Sequence, residues 1–270
     1  MELDTPLKNV LFWNCKGNDG SQTFCDALIR IINTHNIEIV GISECLDDKK
    51  AFVKRIRTSV KKFYCVGESR KLDKVGCIRI FSTLPRNTLK ITKKKERFVS
   101  ARYQEKFDLC FIHLKSLVNT SVSEKLVNDK LVYDDIYRDK TQKFIVGDFN
   151  DAPYSDTLMS SLLFNTYRDE EIKFSIKRHK GDNIRINPCW KAMGDNSHIY
   201  GTLCNSVYMH NNNFKLVDQV IFDSQLKPYY YDDSFKILET AGILPLINVK
   251  GNIDTKYSDH LPIYFSLQGV

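Results

Sequence analysis

Apolar residues recur along this chain in short compact runs, each closed by a polar residue. Residues 8–14 (KNVLFWN) form one run, ending in Asn14, and residues 37–42 form another, with Ser43 and Glu44 at its exit. Runs of this length without helical spacing predict buried strands. Between them Phe24, Leu28, Ile31 and Ile32 fall at helical spacing and predict a helix over 23–33. A basic helix is expected over 49–61. Strands are expected over 63–66, 76–82, 88–92, 97–103 and 108–114, where charged turns suggest an antiparallel meander. Residues 122–138 read as a helix and 142–147 as a strand.

Past residue 151 the pattern weakens. Residues 156–163 are a helical candidate, 170–185 are polar and basic, and 187–205, rich in Gly and Asn around Trp190, read as loop. A strand pattern returns over 214–222, interrupted by Asp218-Gln219, and a final strand is expected over 263–267. The order β-α-β-α, then a run of strands, then helix and strand, predicts a mixed α/β sandwich. The 7 Pro and 12 Gly mark no linker, so one domain over residues 1–270 is expected. The segment 165–213 lies between polar strand ends and is expected to shape an opening.

Composition narrows the class. With 42% hydrophobic residues, 16 Phe and 13 Tyr, the chain is globular and not disordered. Its 40 basic and 33 acidic residues give +7, a mild bias toward polyanions. Basic residues cluster at Lys54, Arg55, Arg57, Lys61 and Lys62, again from Lys93 to Arg97, and from Lys177 to Lys180. Each cluster suits a solvated helix face or an edge-strand guard equally well. The eight cysteines show no CxxC and no zinc-ligand spacing with His. They read as small buried hydrophobes in a reducing compartment. The N-terminus has no apolar signal core, and no segment nears the roughly 18 apolar residues of a membrane span. A cytoplasmic location is expected.

The richest stretch is 144–151, FIVGDFND. An apolar run ends in Gly147, and Asp148 and Asn150 follow two positions apart, so from an extended segment both leave on one side. A carboxylate and an amide offered there suit a hard cation or a phosphate. The same residues also spell an Asx-type turn. Other strand ends carry Asn14, Glu44, His113, Asp218, and Asp259 with His260. Mg²⁺ takes oxygen ligands, often one or two carboxylates plus waters and substrate phosphate. Phosphoryl transfer adds an activated water and donors for the phosphate oxygens, and this set holds every part.

In this order, NC…SE…HLKS…GDFND…VDQV…SDHLPI, the chain resembles the endonuclease/exonuclease/phosphatase (deoxyribonuclease I-like) superfamily over residues 10–265. The specific parts are GDFN and SDH followed by an apolar residue and Pro. The resemblance implies a four-layer α/β sandwich, two mainly antiparallel sheets packed face to face with helices outside. It implies Glu44 as the principal Mg²⁺ ligand, Mn²⁺ being an alternative, with Asn14 and Asp259 completing or orienting the metal shell. Asp148 would position and deprotonate the attacking water and Asn150 would bind the scissile phosphate. His260, oriented by Asp218, would act as base or phosphate donor, and His113 would contact phosphate. Gln219 departs from the Asp-His or Asp-Tyr pair common in the family.

The implied activity is metal-dependent phosphodiester hydrolysis, with DNA or RNA the preferred substrate and Trp190, Tyr200 and Tyr208 available for stacking. A small or lipid-derived phosphate ester is the alternative, since fold and catalytic set are shared across substrates. Asn187-Pro188-Cys189-Trp190-Lys191 partly resembles the Pro-Ala-Trp-Cys-Asp-Arg run of inositol-polyphosphate 5-phosphatases. His113 stands where apurinic endonucleases have Tyr. A catalytically silent binding protein would predict loss of one of these residues, and none is lost.

Overall fold

The computed structural model describes residues 7–71, 76–118, 120–168, 184–193, 201–204 and 214–270. The basic run Lys177–Lys180, Tyr200 and Tyr208 lie outside them. The chain opens with β1 (Lys8–Asn14), α1 (Gln22–Thr34), β2 (Ile37–Cys45) and α2 (Lys49–Arg57). Next come β3 (Tyr64–Glu68), β4 (Cys77–Ser82), β5 (Leu89–Lys94), β6 (Phe98–Tyr103) and β7 (Phe107–His113). Then follow α3 (Val122–Ile136), β8 (Lys143–Asp148), α4 (Asp156–Met159), and the short β9 (Thr166–Tyr167), β10 (Arg185–Ile186), β11 (Leu203–Cys204) and β12 (Phe214–Lys215). The chain closes with β13 (Asp218–Asp223), β14 (Lys236–Ile237), the small hairpin β15 (Thr240–Ala241) and β16 (Leu244–Pro245), and β17 (Ile263–Leu267). The helices start where side chains cap them. The hydroxyls of Ser21 and Ser121 and the carboxylate of Asp48 accept from the amides of Phe24, Glu124 and Ala51.

Two sheets carry the fold, ordered β14-β17-β1-β2-β4-β3 and β5-β6-β7-β8-β13-β10-β9. Strand alternation explains how they stack. Val10 and Phe12 of β1 meet Phe111, Phe144, Val146 and Phe222 in the core between the sheets. Leu11 and Trp13 of the same strand face the opposite way, onto Phe24, Leu28 and Phe52 of α1 and α2. Ile112 and Ile145 likewise turn outward, to a third cluster beside α3. The architecture is the four-layer sandwich, with strands apolar on both faces because both faces are covered.

Several boundaries differ from the sequence pattern. The five strands after α2 do not form one meander: β3 and β4 end the first sheet, while β5, β6 and β7 begin the second. The segment between them contains Pro85, whose missing amide donor cannot extend a ladder. Helix α2 stops at Arg57, and 156–163 holds only the single turn of α4. Residues 214–222 divide, and Asp218 opens β13 instead of interrupting a strand. Residues 188–193 form a 3₁₀ helix within the expected loop.

Two glycines are dictated by packing. A Cβ on Gly41 would stand 2.1 Å from the Phe111 ring across the sheet interface. On Gly147, at φ +152°, it would stand 2.1 Å from the carbonyl oxygen of Ile112. Backbone cannot yield as a side-chain tip can, so Gly147→Ala is expected to cost about 3 kcal/mol or more. A shift in denaturation midpoint equivalent to under about 0.5 kcal/mol would contradict that packing.

Candidate active site

Ends of strands from both sheets meet at one place. The parallel pairs β1–β2 and β7–β8 end there together, pairing Asn14 with Ser43 and His113 with Asp148. Antiparallel β13 begins there, so Asp218 lies opposite Asp148. The loop before β17 adds Ser258, Asp259 and His260, held from below. Ser258 donates its hydroxyl to the Asn14 carbonyl (2.6 Å) and accepts from the His260 amide (3.1 Å), while Trp13 Nε1 donates to the His260 carbonyl (2.8 Å).

Asp148 sits at the centre and is 1% exposed. Its Oδ2 accepts from Asn14 Nδ2 at 3.1 Å, and its Oδ1 accepts from the Asn150 amide at 2.8 Å. Asn14 Nδ2 also donates to Glu44 Oε1 at 2.9 Å, while its Oδ1 accepts from the Lys16 amide. Asn14 therefore bridges the two carboxylates with its nitrogen. His113 Nε2 is 3.6 Å from both Glu44 Oε1 and Asp148 Oδ2. Glu44, at φ 58°, stands at a bulge in β2, a device that re-aims a side chain at the end of a strand.

His260 forms the other flank. Its Nδ1 is 2.8 Å from Asp218 Oδ2 and its Nε2 is 3.9 Å from Asp148 Oδ2. The hydroxyl oxygen of Thr202 accepts from the amides of Val217 and Asp218 and fixes the strand start. Gln219, on the opposite face of β13, donates to the Asp151 carbonyl at 2.7 Å and accepts from Asn187 Nδ2 at 2.8 Å. Gln219 thus braces the loops around the site while Asp218 faces it, which is what alternation along a strand requires.

Electrostatics separate the two histidines. Burial, reinforced by the positive charge of Arg97, pushes His113 down to about 3 and keeps it neutral. Burial also opposes charge on His260, but the Asp218 carboxylate outweighs it and holds the imidazolium up to about 10. Burial, then the neighbouring Asp218 carboxylate, raises Asp148 to about 7, in the range of a working base.

Asn150 departs from the sequence expectation. It does not project from the strand beside Asp148. The chain turns at φ 51°, Asp148 receives the Asn150 amide as an Asx turn does, and Asn150 Nδ2 donates to the Leu114 carbonyl at 3.0 Å. Asp259 stands apart from the Glu44–His113–Asp148 group: its Oδ2 pairs with Lys16 Nζ, and its Oδ1 is buried without a partner among the described residues.

Three contributors escaped the sequence pattern. Lys16 covers Asp259. Arg97 backs His113, with Nη1 3.5 Å from the His113 carbonyl and no carboxylate within 4.0 Å among the described residues. It belongs to the Lys93–Arg97 cluster, whose composition does not single out the member that backs the site. Lys125, 2% exposed on α3, sits 2.5 Å from Asp129 and 2.8 Å from Asp151, and reaches the Phe149 carbonyl at 3.4 Å. It staples the 148–151 turn to the helix. Lys125→Met strands buried carboxylates and is expected to cost about 3–5 kcal/mol. Chemical denaturation with Lys125→Arg alongside measures this, and equal stability for Met and wild type would dismiss the staple.

Cation fit follows from the donors. Glu44, His113 and Asp148 each offer one atom within 4.8 Å of the others, as do Asp148, Asp218 and His260. The second trio is closed on itself by a charged imidazole, which repels a cation. The first joins two carboxylates to a neutral imidazole, and a divalent cation fits there.

No family model and no curated protein matches the sequence. Solved structures match its fold along nearly its whole length. They include D. rerio TDP2 complexed with single-strand DNA product (16% identity, TM-score 0.59, covering 98% of this chain and 100% of that one). An AP endonuclease from Archaeoglobus fulgidus is similar at 14% identity and TM-score 0.61, covering 97% and 100%. A Bacteroides thetaiotaomicron mannosyl-6-phosphatase is similar at 13% identity and TM-score 0.56, covering 96% and 99%.

Proposed function

We propose that this chain is a divalent-metal-dependent phosphoric ester hydrolase whose favoured substrate is DNA or RNA. The observation that carries the reading is the geometry around the buried Asp148, whose Oδ2 has Asn14 Nδ2 at 3.1 Å, His113 Nε2 at 3.6 Å and His260 Nε2 at 3.9 Å, with His260 braced by Asp218 at 2.8 Å. Glu44 would hold Mg²⁺ or Mn²⁺, and Asn14 and Asp259 would complete or orient its shell. When bound, the ion polarises a phosphate oxygen as a Lewis acid. Asp148 takes the proton of the attacking water. The His260 imidazolium, braced by Asp218, hydrogen-bonds the phosphate oxygen on which charge builds. Asn150 and His113 orient the phosphate from the turn and from β7.

The nucleic-acid preference draws on Arg97, a half-buried cation without a carboxylate partner, and on its setting. It lines an opening of about 260 Å³ together with Arg70, Lys95 and Phe98, where Glu96 and Asp135 also stand and Asp135 pairs with Lys95 at 3.3 Å. Fold likeness to proteins solved with or acting on DNA points the same way. Likeness to the mannosyl-6-phosphatase favours a second reading, a phosphatase acting on a small ester. No helix among the described residues is long and apolar enough to cross a membrane. All eight cysteines are free thiols, which suits a reducing cytoplasm.

Labelled single- and double-stranded DNA and RNA, incubated with Mg²⁺ or Mn²⁺, with an EDTA control, test the proposal. Metal-dependent cleavage supports the nuclease reading. Phosphate release from small sugar or inositol phosphates with intact polymers supports the second.

A further inference from the structure

The basic stretch following residue 49 has so far no place in the site, and the structure divides it in two. Toward the reaction centre two of its cations are neutralised: Lys49 pairs with Glu68 at 2.6 Å, and Arg55 with Asp47 at 3.3 Å. Toward the opposite end they are not. Arg57 from the end of α2, Lys62 from the following loop and Arg86 from the turn after β4 line one cleft of about 430 Å³. Tyr64, Thr83, Leu84 and Pro85 complete it, and no Asp or Glu borders it. None of the three cations has a carboxylate within 4.0 Å among the described residues.

This cleft is separate from the reaction centre. Strand β4 begins beside Cys45, next to Glu44, and ends at Ser82 opposite Ile39 and Tyr64. Its length puts the Thr83–Arg86 turn on the order of 17 Å away, at about 3.4 Å per residue.

Two of the cations are held in place without a counter-ion. Arg57 Nε donates to the Phe63 carbonyl at 2.6 Å, which restrains its guanidinium and uses neither terminal nitrogen. The Arg86 guanidinium lies 4.9 Å from the Tyr64 ring centroid, and the Tyr64 hydroxyl donates to the Pro85 carbonyl at 3.2 Å. Positive charges at the end of α2 complement its dipole, which accounts for Arg57 being basic. It does not account for Arg86 and Lys62 converging on the same space. Fixed guanidinium forks beside an ammonium match the oxygens of a phosphate, and the volume lies in the range of ligand sites, roughly 300–1,000 Å³.

We propose that this cleft is a second anion site, taking phosphate groups of a polyanion at a distance from the reacting phosphate. That the polyanion is a polynucleotide rests on the proposed function; the site itself does not.

Binding is measured in EDTA, without turnover, by fluorescence polarisation of a labelled single-stranded 20-mer and by calorimetry with tripolyphosphate. The Arg57→Gln/Arg86→Gln double variant is compared with wild type and with Arg97→Gln. At least a fivefold loss of oligonucleotide affinity, with a salt slope reduced by about 1–2, is expected and identifies a polynucleotide. A loss confined to tripolyphosphate supports the site and assigns a small polyphosphate. Unchanged affinity for both probes, or no binding of either by wild type, overturns the site. A loss on Arg97→Gln alone also overturns it while leaving the proposed function intact. Lys62→Gln, which breaks no hydrogen bond to a described residue, keeps the test decisive should the double variant misfold.

Discussion

On the proposed function, Asp148→Asn is expected to lower kcat by roughly 10⁴, about 5 kcal/mol of barrier, and to leave the protein folded. The amide has the volume of the carboxylate and can still receive the Asn150 amide on its oxygen, so the 148–151 turn survives. Its nitrogen cannot take a proton from water. It also faces Asn14 Nδ2, a donor, where the carboxylate accepted at 3.1 Å. Substrate affinity depends on groups around Asp148, so KM should change far less than kcat. Steady-state kinetics on the oligonucleotide that the wild type cleaves, with circular dichroism of both proteins, make the comparison. A rate within tenfold of wild type would remove Asp148 from the base role.

The second large effect concerns stability. Asp218→Asn leaves His260 fully buried without its carboxylate and is expected to cost roughly 3–5 kcal/mol at pH 6. The sign follows from the proton. His260 is raised from its ordinary 6.5 to about 10 in the folded protein, so the native state binds the proton more tightly than the unfolded chain. That contribution is full below about 6.5 and fades as pH climbs toward 10. The gap between wild type and variant should therefore be widest at pH 6 and narrow steadily by pH 10. Urea denaturation across that range, in EDTA, measures it. A gap that stays constant or widens with pH would mean that His260 is not held as an imidazolium.

Strand ends were legible in the sequence because a compact apolar run closed by one polar residue fits a buried strand and little else. Asn14, Glu44, His113, Asp148, Asp218 and His260 do come together in space. What the pattern could not carry was anything decided by the third dimension. The partition of β3–β7 between two sheets depends on the turn around Pro85 and on which faces find cover, and periodicity is blind to both. Asn150 was misplaced because two-residue spacing predicts a shared side only while the backbone stays extended, and it turns at φ 51°. Arg97 and Lys125 could not be told from surface cations, because burial of a charge is conferred by neighbours distant in sequence. Gln219 broke the familiar motif yet fell on the far face of β13, where it braces loops.

The pairing of β17 with β1 has a consequence for the newly made chain. β1 leaves the ribosome well before its neighbour β17 and the adjoining His260, which come some 250 residues later in sequence, with Lys8 opposite Leu267. Domains generally begin folding from the N-terminus during synthesis. Here an early core around α1, β2 and α2 can gather while β1 keeps one edge unpaired, a sticky surface for other chains. Asp148 meanwhile waits without His260. A translation product stopped short of residue 260 would therefore be aggregation-prone and would lack one flank of the candidate site.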